Sequence, residues 1–251
     1  MQIVSLLYPA FLMVLLLVFI HAIFGVEIIK RGVIFTDLAI GQVSAIGMAI
    51  SIGFWEGEYQ SAITLLFALI GAGLIAYATQ RVKHIEAFIG MLYALGASTI
   101  MLLLASSPNG AELFQTLSAT DILFTSMDEV YQAMATYIPI SLVMFFIYPK
   151  TSGIVKEIIF FVMLALVVTS SIQSAGVLVV FVLLVAPAFI ALSQSYFNTL
   201  FIAWIFGVTL SILALFISYS FDLPTGYTII FVLSLSVILF ALGNTKDKNK
   251  D

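Results

Sequence analysis

Long apolar stretches, separated by a few polar residues, run through almost the whole chain. A helix needs about 20 mostly apolar residues to cross the hydrocarbon core of a bilayer. This criterion predicts about nine transmembrane helices, at residues 4–26, 32–54, 61–80, 86–105, 131–148, 157–173, 175–194, 199–218 and 227–243. The pair divided at residues 173–176 could instead be one broken helix. The pattern predicts an all-α fold, a polytopic membrane helix bundle.

The composition agrees with a membrane protein and excludes several other classes. Of the 251 residues, 63% are hydrophobic and 9% are charged, whereas soluble domains carry about 25% charged residues. This balance excludes a soluble enzyme, a nucleic-acid-binding protein and a disordered chain. Because the chain has no cysteine, it offers no disulfide and no thiolate ligand. We expect one transmembrane domain at residues 1–245 and a short charged tail at residues 246–251.

The charged residues divide between the two sides of the predicted bundle. With nine helices, every lysine and arginine falls on one side of the membrane. The loops on the opposite side carry acidic residues and no lysine or arginine. Basic loops face the cytoplasm, so we expect the N-terminus outside and the C-terminus in the cytoplasm. The basic residues are Lys30, Arg31, Arg81, Lys83, Lys150, Lys156, Lys246, Lys248 and Lys250. The acidic residues of the opposite loops are Glu56, Glu58, Glu112, Asp121, Asp128, Glu129 and Asp222.

The first apolar stretch is expected to be a retained membrane helix. A cleaved signal peptide begins with a basic region, and the first basic residue here is Lys30.

Small residues crowd the second, third and fourth predicted helices. They include Gly41, Gly47, Gly71, Gly73, Gly90 and Gly96. Small side chains let membrane helices approach each other closely, so these three helices are predicted to form a compact core. Later in the chain, Pro187 is predicted to interrupt a strongly apolar helix. Such a break is typical of transporters, although a kinked packing helix is equally allowed.

Asp37 is the most informative polar residue. It lies six residues after Arg31, about 9 Å into the second predicted helix. An ionised aspartate inside a bilayer costs about 2.5–3.5 kcal/mol and usually faces a bundle interior or an ion path. Alternatively, Asp37 pairs with Arg31 or Lys30 near the interface and anchors the helix. Gln42, about 140° further around the helix, could offer a carbonyl oxygen to an ion or bond to a neighbouring helix.

Three further ionisable residues lie within or at the ends of the predicted helices. His21 and Glu27 lie within and at the end of the first helix, and with Asp37 they make an imidazole–carboxylate set that suits a divalent transition metal. A lone histidine can equally be a satisfied interior residue. Glu86 opens the fourth helix, where a carboxylate suits the positive helix terminus.

Four segments of the chain carry a resemblance to a known family. They are RGVIFTDLAIGQ at residues 31–42 with Gly47, IEAFIG at 85–90 with Tyr93 and Ala94, TDILF at 120–124, and AGVLVV at 175–180 continuing through Leu184 to Pro187 and Ala188. In this order they resemble the integral membrane subunit of metal-cation ABC importers, those for zinc, manganese or iron. The match spans nearly the whole chain.

The resemblance implies a multi-pass permease subunit of a prokaryotic plasma membrane, dimeric and open alternately to the outside and the inside. It implies a cytoplasmic ATP-binding subunit and an extracytoplasmic metal-binding protein as partners. A divalent cation, zinc or manganese, would be the cargo, coordinated transiently by Asp37, Gln42, His21 and Glu27. No cofactor would be bound permanently. The chain has no P-loop, so the permease is not expected to be an enzyme.

The sequence departs from the family pattern in two places. The commonest family form reads Gly-Asp-Ala-Leu-Ser-His, whereas here no histidine follows Asp37 and Gln42 stands near its place. His21 and Glu27 would then compensate. The family also has a longer segment before the AGVLVV block, which docks on the ATPase as a coupling helix, and residues 148–157 alone stand there. Either this short loop still docks or coupling is altered or absent.

Two rival functions remain open at this point. A self-sufficient secondary carrier or channel would use Asp37 as a proton or ion site. A membrane scaffold would transport nothing.

Overall fold

The computed structural model of the chain describes residues 2–55, 57–105, 122–194 and 198–243. Within these ranges every regular element is helical and no strand is present. The nine α-helices are α1 (Gln2–Arg31), α2 (Thr36–Trp55), α3 (Gln60–Arg81), α4 (Ile85–Leu104), α5 (Met127–Leu142), α6 (Gly153–Ala175), α7 (Val177–Leu192), α8 (Thr199–Phe221) and α9 (Thr225–Gly243). The predicted all-α bundle is confirmed, and each predicted helix has a counterpart.

Eight helices in the described part of the chain are long and apolar enough to cross a membrane. The ninth, α7, has 16 residues and is therefore about 24 Å long, against a hydrocarbon core of about 30 Å. The charged tail predicted at residues 246–251 lies outside the described residues. So do Glu56, Glu112 and Asp121.

The first helix is longer than predicted and ends at a glycine. Gly32 has φ 67°, a conformation that glycine adopts without steric cost. Its N–H binds Ile29 O at 3.1 Å, and the N–H of Val33 binds Ile28 O at 3.2 Å. These two bonds form a Schellman motif, which satisfies the last carbonyls of the helix. Glu27 therefore lies inside α1 rather than at its end, where it was predicted.

The chain between α5 and α6 is irregular but stays helical in character. Pro139 lies in the last turn of α5, and a π-helical segment, Val143–Ile147, follows directly. A single 3₁₀ turn, Tyr148–Lys150, then leads to α6. π-Helical segments of this kind are frequent at functional sites. This segment leads directly into the 3₁₀ turn, which begins the loop at residues 148–157 that the family resemblance assigns to coupling.

The helix break predicted at Pro187 is wrong, and the break lies eleven residues earlier. Pro187 is an internal residue of α7, which continues to Leu192. The interruption is Gly176, which stands between α6 and α7 with φ 84°, a region that side-chain-bearing residues rarely enter. The alternative of a single helix broken at residues 173–176 has the correct position, because one residue alone separates the two helices.

Two groups of helices build the bundle. α1 packs against α7 and α8, and α9 packs against α7 and α8. α2 packs against α3 and α4, and α3 also contacts α6. The most buried helices are α1, α2, α6 and α7, whereas α3, α4, α5, α8 and α9 expose much of their surface. The exposed faces are apolar, as lipid-facing helices require.

Close approach of helices at small residues is confirmed at several predicted positions. A methyl group on Gly96 would lie 2.7 Å from Gln42 Cβ, and one on Gly47 would lie 2.8 Å from Ile63 O. A methyl group on Gly71 would lie 3.1 Å from Val43 Cβ. At Gly73 and Gly90, however, there is open space instead. The predicted compact core therefore lies around α2, and the outer faces of α3 and α4 do not share in it.

Candidate metal path

Asp37 occupies the first turn of α2, which begins at Thr36, and does not lie about 9 Å into the helix as predicted. It is almost completely buried, with 2% of its surface exposed. Neither carboxylate oxygen has a hydrogen-bond partner in the part of the chain that the structure describes. The backbone amides of Asp37 itself and of Leu38 lie close to the carboxylate, at the positive end of the helix, which favours an anion. The carboxylate thus lies in the protein interior without a counter-charge.

The basic residue closest in sequence to Asp37 is engaged elsewhere. Arg31 Nη1 donates to Glu157 Oε2 at 2.6 Å, and its Nη2 donates to Tyr148 Oη at 2.8 Å. Its guanidinium also lies over the Phe160 ring, 4.2 Å from the centroid. The alternative in which Arg31 neutralises Asp37 is therefore not observed.

Gln42 lies on α2, with 5% of its surface exposed. Its Oε1 is buried and has no partner. The close contact with Gly96 places the backbone of α4 directly against the Gln42 side chain. One buried carbonyl oxygen is thus available next to the α2–α4 interface.

His21 is completely buried in α1. Its Nδ1 lies 2.7 Å from Leu17 O. Since a carbonyl can only accept, Nδ1 carries the proton and Nε2 keeps its lone pair. Nε2 has no partner. The histidine is in the tautomer that a metal ligand needs, but it lies about 15 Å along α1 from Arg31 and is therefore remote from the amino end of α2.

Glu27 belongs to a polar network at the other end of α1. Tyr148 Oη donates to Glu27 Oε2 at 2.9 Å and accepts from Arg31, which in turn pairs with Glu157. A cavity of about 410 Å³ borders these four side chains together with Lys156. A second cavity, of about 340 Å³, borders Glu27 and Tyr148 from the side of the π-helical segment. We call Glu27, Arg31, Tyr148 and Glu157 the Arg31 network.

Two further oxygen-bearing side chains, Thr36 and Glu86, belong to the region around the amino end of α2. Thr36 is fully buried and its Oγ1 has no partner. Glu86 Oε1 accepts a hydrogen bond from the backbone N–H of Ile34 at 2.6 Å, and its Oε2 is buried without a partner. From the sequence, Glu86 was predicted to stabilise the amino end of α4, and Thr36 carried no signal. The positions of both side chains depend on how α4 packs against the α1–α2 turn.

The four predicted metal residues do not meet at one point of the chain. Among the described residues, no group of three or more His, Asp or Glu side chains could hold a metal ion. Asp37 and Gln42 share α2, whereas Glu27 is engaged in the Arg31 network and His21 stands apart on α1. These side chains could contact a metal ion one after another, but they do not form a single site that surrounds it.

Several known proteins similar to this chain are named as manganese transport proteins. A family profile described as ABC 3 transport family matches residues 4–243. The manganese transport system membrane protein MntC of Listeria monocytogenes serovar 1/2a is 25% identical over 233 residues, which cover 86% of this chain and 82% of the relative. The manganese transport system membrane protein MntB of Synechocystis sp. is 24% identical over 195 residues, which cover 71% of this chain and 63% of the relative.

The fold is also found in a solved structure. PsaBC from Streptococcus pneumoniae, determined in complex with a Fab, superimposes with a TM-score of 0.74 at 21% sequence identity. The superposition covers 94% of this chain and 91% of the matched chain. At this identity the likeness concerns the fold alone.

Proposed function

Because this chain belongs to the ABC 3 transport family, we propose that it is the membrane-spanning permease subunit of an ABC importer for a divalent metal cation. Helices that can cross a membrane fill the described part of the chain, and the sequence has no P-loop. The chain therefore forms the passage, and ATP is hydrolysed on a separate cytoplasmic subunit. The observation that carries the proposal is the Asp37 carboxylate, which is buried in a membrane helix without a partner.

The buried carboxylate explains why a cation is favoured as cargo. A charge removed from water is costly unless another charge or a metal compensates it. Asp37 has no ion-pair partner in the described chain, since Arg31 pairs with Glu157. A divalent cation that enters the bundle supplies the missing compensation. Asp37 is the principal contact, and the free Gln42 Oε1 and His21 Nε2 are further contacts along the passage.

Manganese is proposed ahead of zinc. Carboxylate and carbonyl oxygens suit Mn²⁺, whereas Zn²⁺ favours imidazole and thiolate ligands. Asp37 and Gln42 offer oxygens, and the chain has no cysteine. The relatives MntC and MntB are named as manganese transport proteins, in agreement with this choice.

We place the permease in a prokaryotic plasma membrane as a homodimer, together with an ATP-binding subunit and an extracytoplasmic metal-binding protein. The turns that carry Arg31, Arg81 and Lys150 all fall on one side if every helix crosses, and basic turns face the cytoplasm. The 3₁₀ turn and the amino end of α6 then face the ATP-binding subunit. Val155 is 51% exposed there and is available for docking.

The decisive test replaces Asp37 by asparagine. Asp37→Asn keeps the size of the side chain but removes the charge that a divalent cation requires. We expect normal membrane insertion with a loss of Mn²⁺ uptake of about tenfold or more, the scale seen when metal sites lose a supporting group. Uptake of ⁵⁴Mn by cells that express the complete transporter measures this effect.

Glu27→Gln is the matched control, because glutamine still accepts the Tyr148 hydrogen bond and should leave uptake largely intact. Full Mn²⁺ uptake by a normally expressed Asp37→Asn protein would rule out the proposed path. Co-purification of an ATP-binding subunit separates the importer from a secondary carrier. Mn²⁺ flux into liposomes without ATP would instead favour the carrier, and absence of flux under all conditions would favour a scaffold.

A further inference from the structure

A second carboxylate lies beside the amino end of α2 and comes from a different helix. Glu86 stands in the first turn of α4. Its Oε1 accepts from the backbone N–H of Ile34 at 2.6 Å, across 52 residues of sequence. This hydrogen bond ties the start of α4 to the turn that precedes α2.

The other oxygen of Glu86 has nothing to bind. Glu86 Oε2 is buried and lacks a hydrogen-bond partner among the described residues. Among the described residues, the only ion pair joins Arg31 to Glu157. No lysine or arginine among them therefore neutralises the charge of Glu86. Glu86 as a whole is only partly buried, but its Oε2, like the carboxylate of Asp37, is a buried oxygen without a neighbouring cation among the described residues.

The short stretch of chain from Ile34 to Asp37 keeps Glu86, which binds Ile34, near Asp37. Ile34, whose N–H binds Glu86, is three residues before Asp37, and three residues extend over at most about 11 Å. Thr36 lies between them, and its fully buried Oγ1 also has no partner. Four unpartnered oxygens from three side chains, Thr36, Asp37 and Glu86, therefore belong to the junction of α4 with the amino end of α2.

We propose that Glu86 supplies the second carboxylate of the transport site, an inference that rests on the proposed role of Asp37 in binding the cargo. Glu86 Oε1 holds the α1–α2 turn, and Glu86 Oε2 binds the divalent cation together with Asp37 and Thr36. Two carboxylates balance the charge of one divalent cation. Their oxygens, with a hydroxyl and water, form the hard donor set that Mn²⁺ accepts.

Mn²⁺ binding to the purified full-length protein in lipid nanodiscs tests the inference. Electron paramagnetic resonance follows the free Mn²⁺ signal, which broadens when the ion binds. Glu86→Gln keeps an oxygen that can accept from Ile34 but removes the charge. We expect its Mn²⁺ affinity to fall by about tenfold or more, with Glu86→Asp binding more tightly than Glu86→Gln.

Glu129→Gln is the matched control. Glu129 also opens a helix, α5, but its carboxylate is bound by the backbone and hydroxyl of Ser126. This variant should bind Mn²⁺ as the unmodified protein does. Size-exclusion elution shows that each variant is folded.

The outcomes separate this inference from the proposed function. If Asp37→Asn weakens Mn²⁺ binding but Glu86→Gln does not, Glu86 is no ligand and this inference is wrong while the Asp37 site stands. If Asp37→Asn leaves binding unchanged, the proposed path itself is wrong. If Glu86→Gln does not fold, the unmodified protein is treated with a hydrophobic carbodiimide, which labels Glu86, with and without Mn²⁺. Equal labelling of Glu86 in both samples would contradict its role as a metal ligand.

Discussion

Gly25 stands where the backbones of α1 and α7 are in direct contact. A methyl group on this residue would lie 2.0 Å from Leu184 O and 2.9 Å from Leu184 C. Backbone atoms cannot rotate away as the end of a side chain can, so the two helices would have to separate. In a closely packed interior such overpacking costs about 1–3 kcal/mol.

We therefore expect Gly25→Ala to lower the midpoint of thermal unfolding of the purified protein and to reduce its yield. Gly73→Ala is the matched control, because a methyl group there meets open space and alanine favours a helix by about 1 kcal/mol over glycine. Equal thermal midpoints for the two variants would contradict the close contact between α1 and α7.

For individual residues, the sequence predicted which charged side chains are buried better than it predicted their hydrogen-bond and ion-pair partners. Asp37 was identifiable because a carboxylate inside an apolar helix is costly wherever it lies. The partner of Arg31 was not identifiable, because Glu157 is 126 residues away and nearness in sequence favoured Asp37. Glu86 was read as a cap of α4, whereas its observed bond is to Ile34. Such contacts depend on helix packing, which hydropathy does not encode.

At the scale of helices, the short segment between α5 and α6 is the element with the most direct bearing on transport. The N–H of Tyr148 binds Val143 O, which widens the helix at its end, and Tyr148 then joins the Arg31 network. The segment therefore connects α5 to α1 and α6 through side chains that are only part-buried. A protein that docks at residues 148–157 would act directly on the end of α1.

We predict that this short loop still docks an ATP-binding subunit. Because the chain has no cysteine, Ser152→Cys and Val155→Cys each introduce a unique thiol at an exposed position. A photoactivatable crosslinker attached to either thiol should capture the ATP-binding subunit in membranes. Glu58→Cys is the control on the opposite side and should not capture it. Capture from the turn at Lys83 alone would show that coupling uses another loop.

Helix positions followed from the sequence because apolar length is a sufficient signal for a membrane span. Helix ends were less certain. Arg31 is the last residue of α1 because Gly32 closes a Schellman motif, a feature that a charge-based boundary misses. Pro187 was predicted to break α7, but a membrane helix tolerates proline where neighbouring helices surround it. The buried position of α7 against α1, α8 and α9 provides such surroundings.

At the scale of the whole molecule, the orientation depends on whether the short helix α7 crosses the membrane. Three helices, α6, α7 and α8, separate Lys150 from Asp222. If all three cross, Lys150 and Asp222 lie on opposite sides, as the positive-inside pattern requires. If α7 returns to the side from which it enters, they lie on the same side.

We expect a membrane-impermeant thiol reagent to label Glu58→Cys and Asp222→Cys in intact cells. Lys150→Cys should react after permeabilisation only. Labelling of Asp222→Cys and Lys150→Cys from the same side would show that α7 does not cross, and the nine-helix topology would then be wrong.

The close glycine contacts also define which parts of the bundle can move relative to each other. Gly25 and Gly207 join α1, α7 and α8, whereas Gly47 and Gly96 join α2, α3 and α4. Across the boundary, the three atoms nearest to a methyl group on Gly41 belong to the side chains of Ile172 and Val177, which can adjust more easily than backbone atoms. If the bundle opens alternately to the two sides of the membrane, we expect the two groups to shift relative to each other at this boundary, beside the helix that carries Asp37.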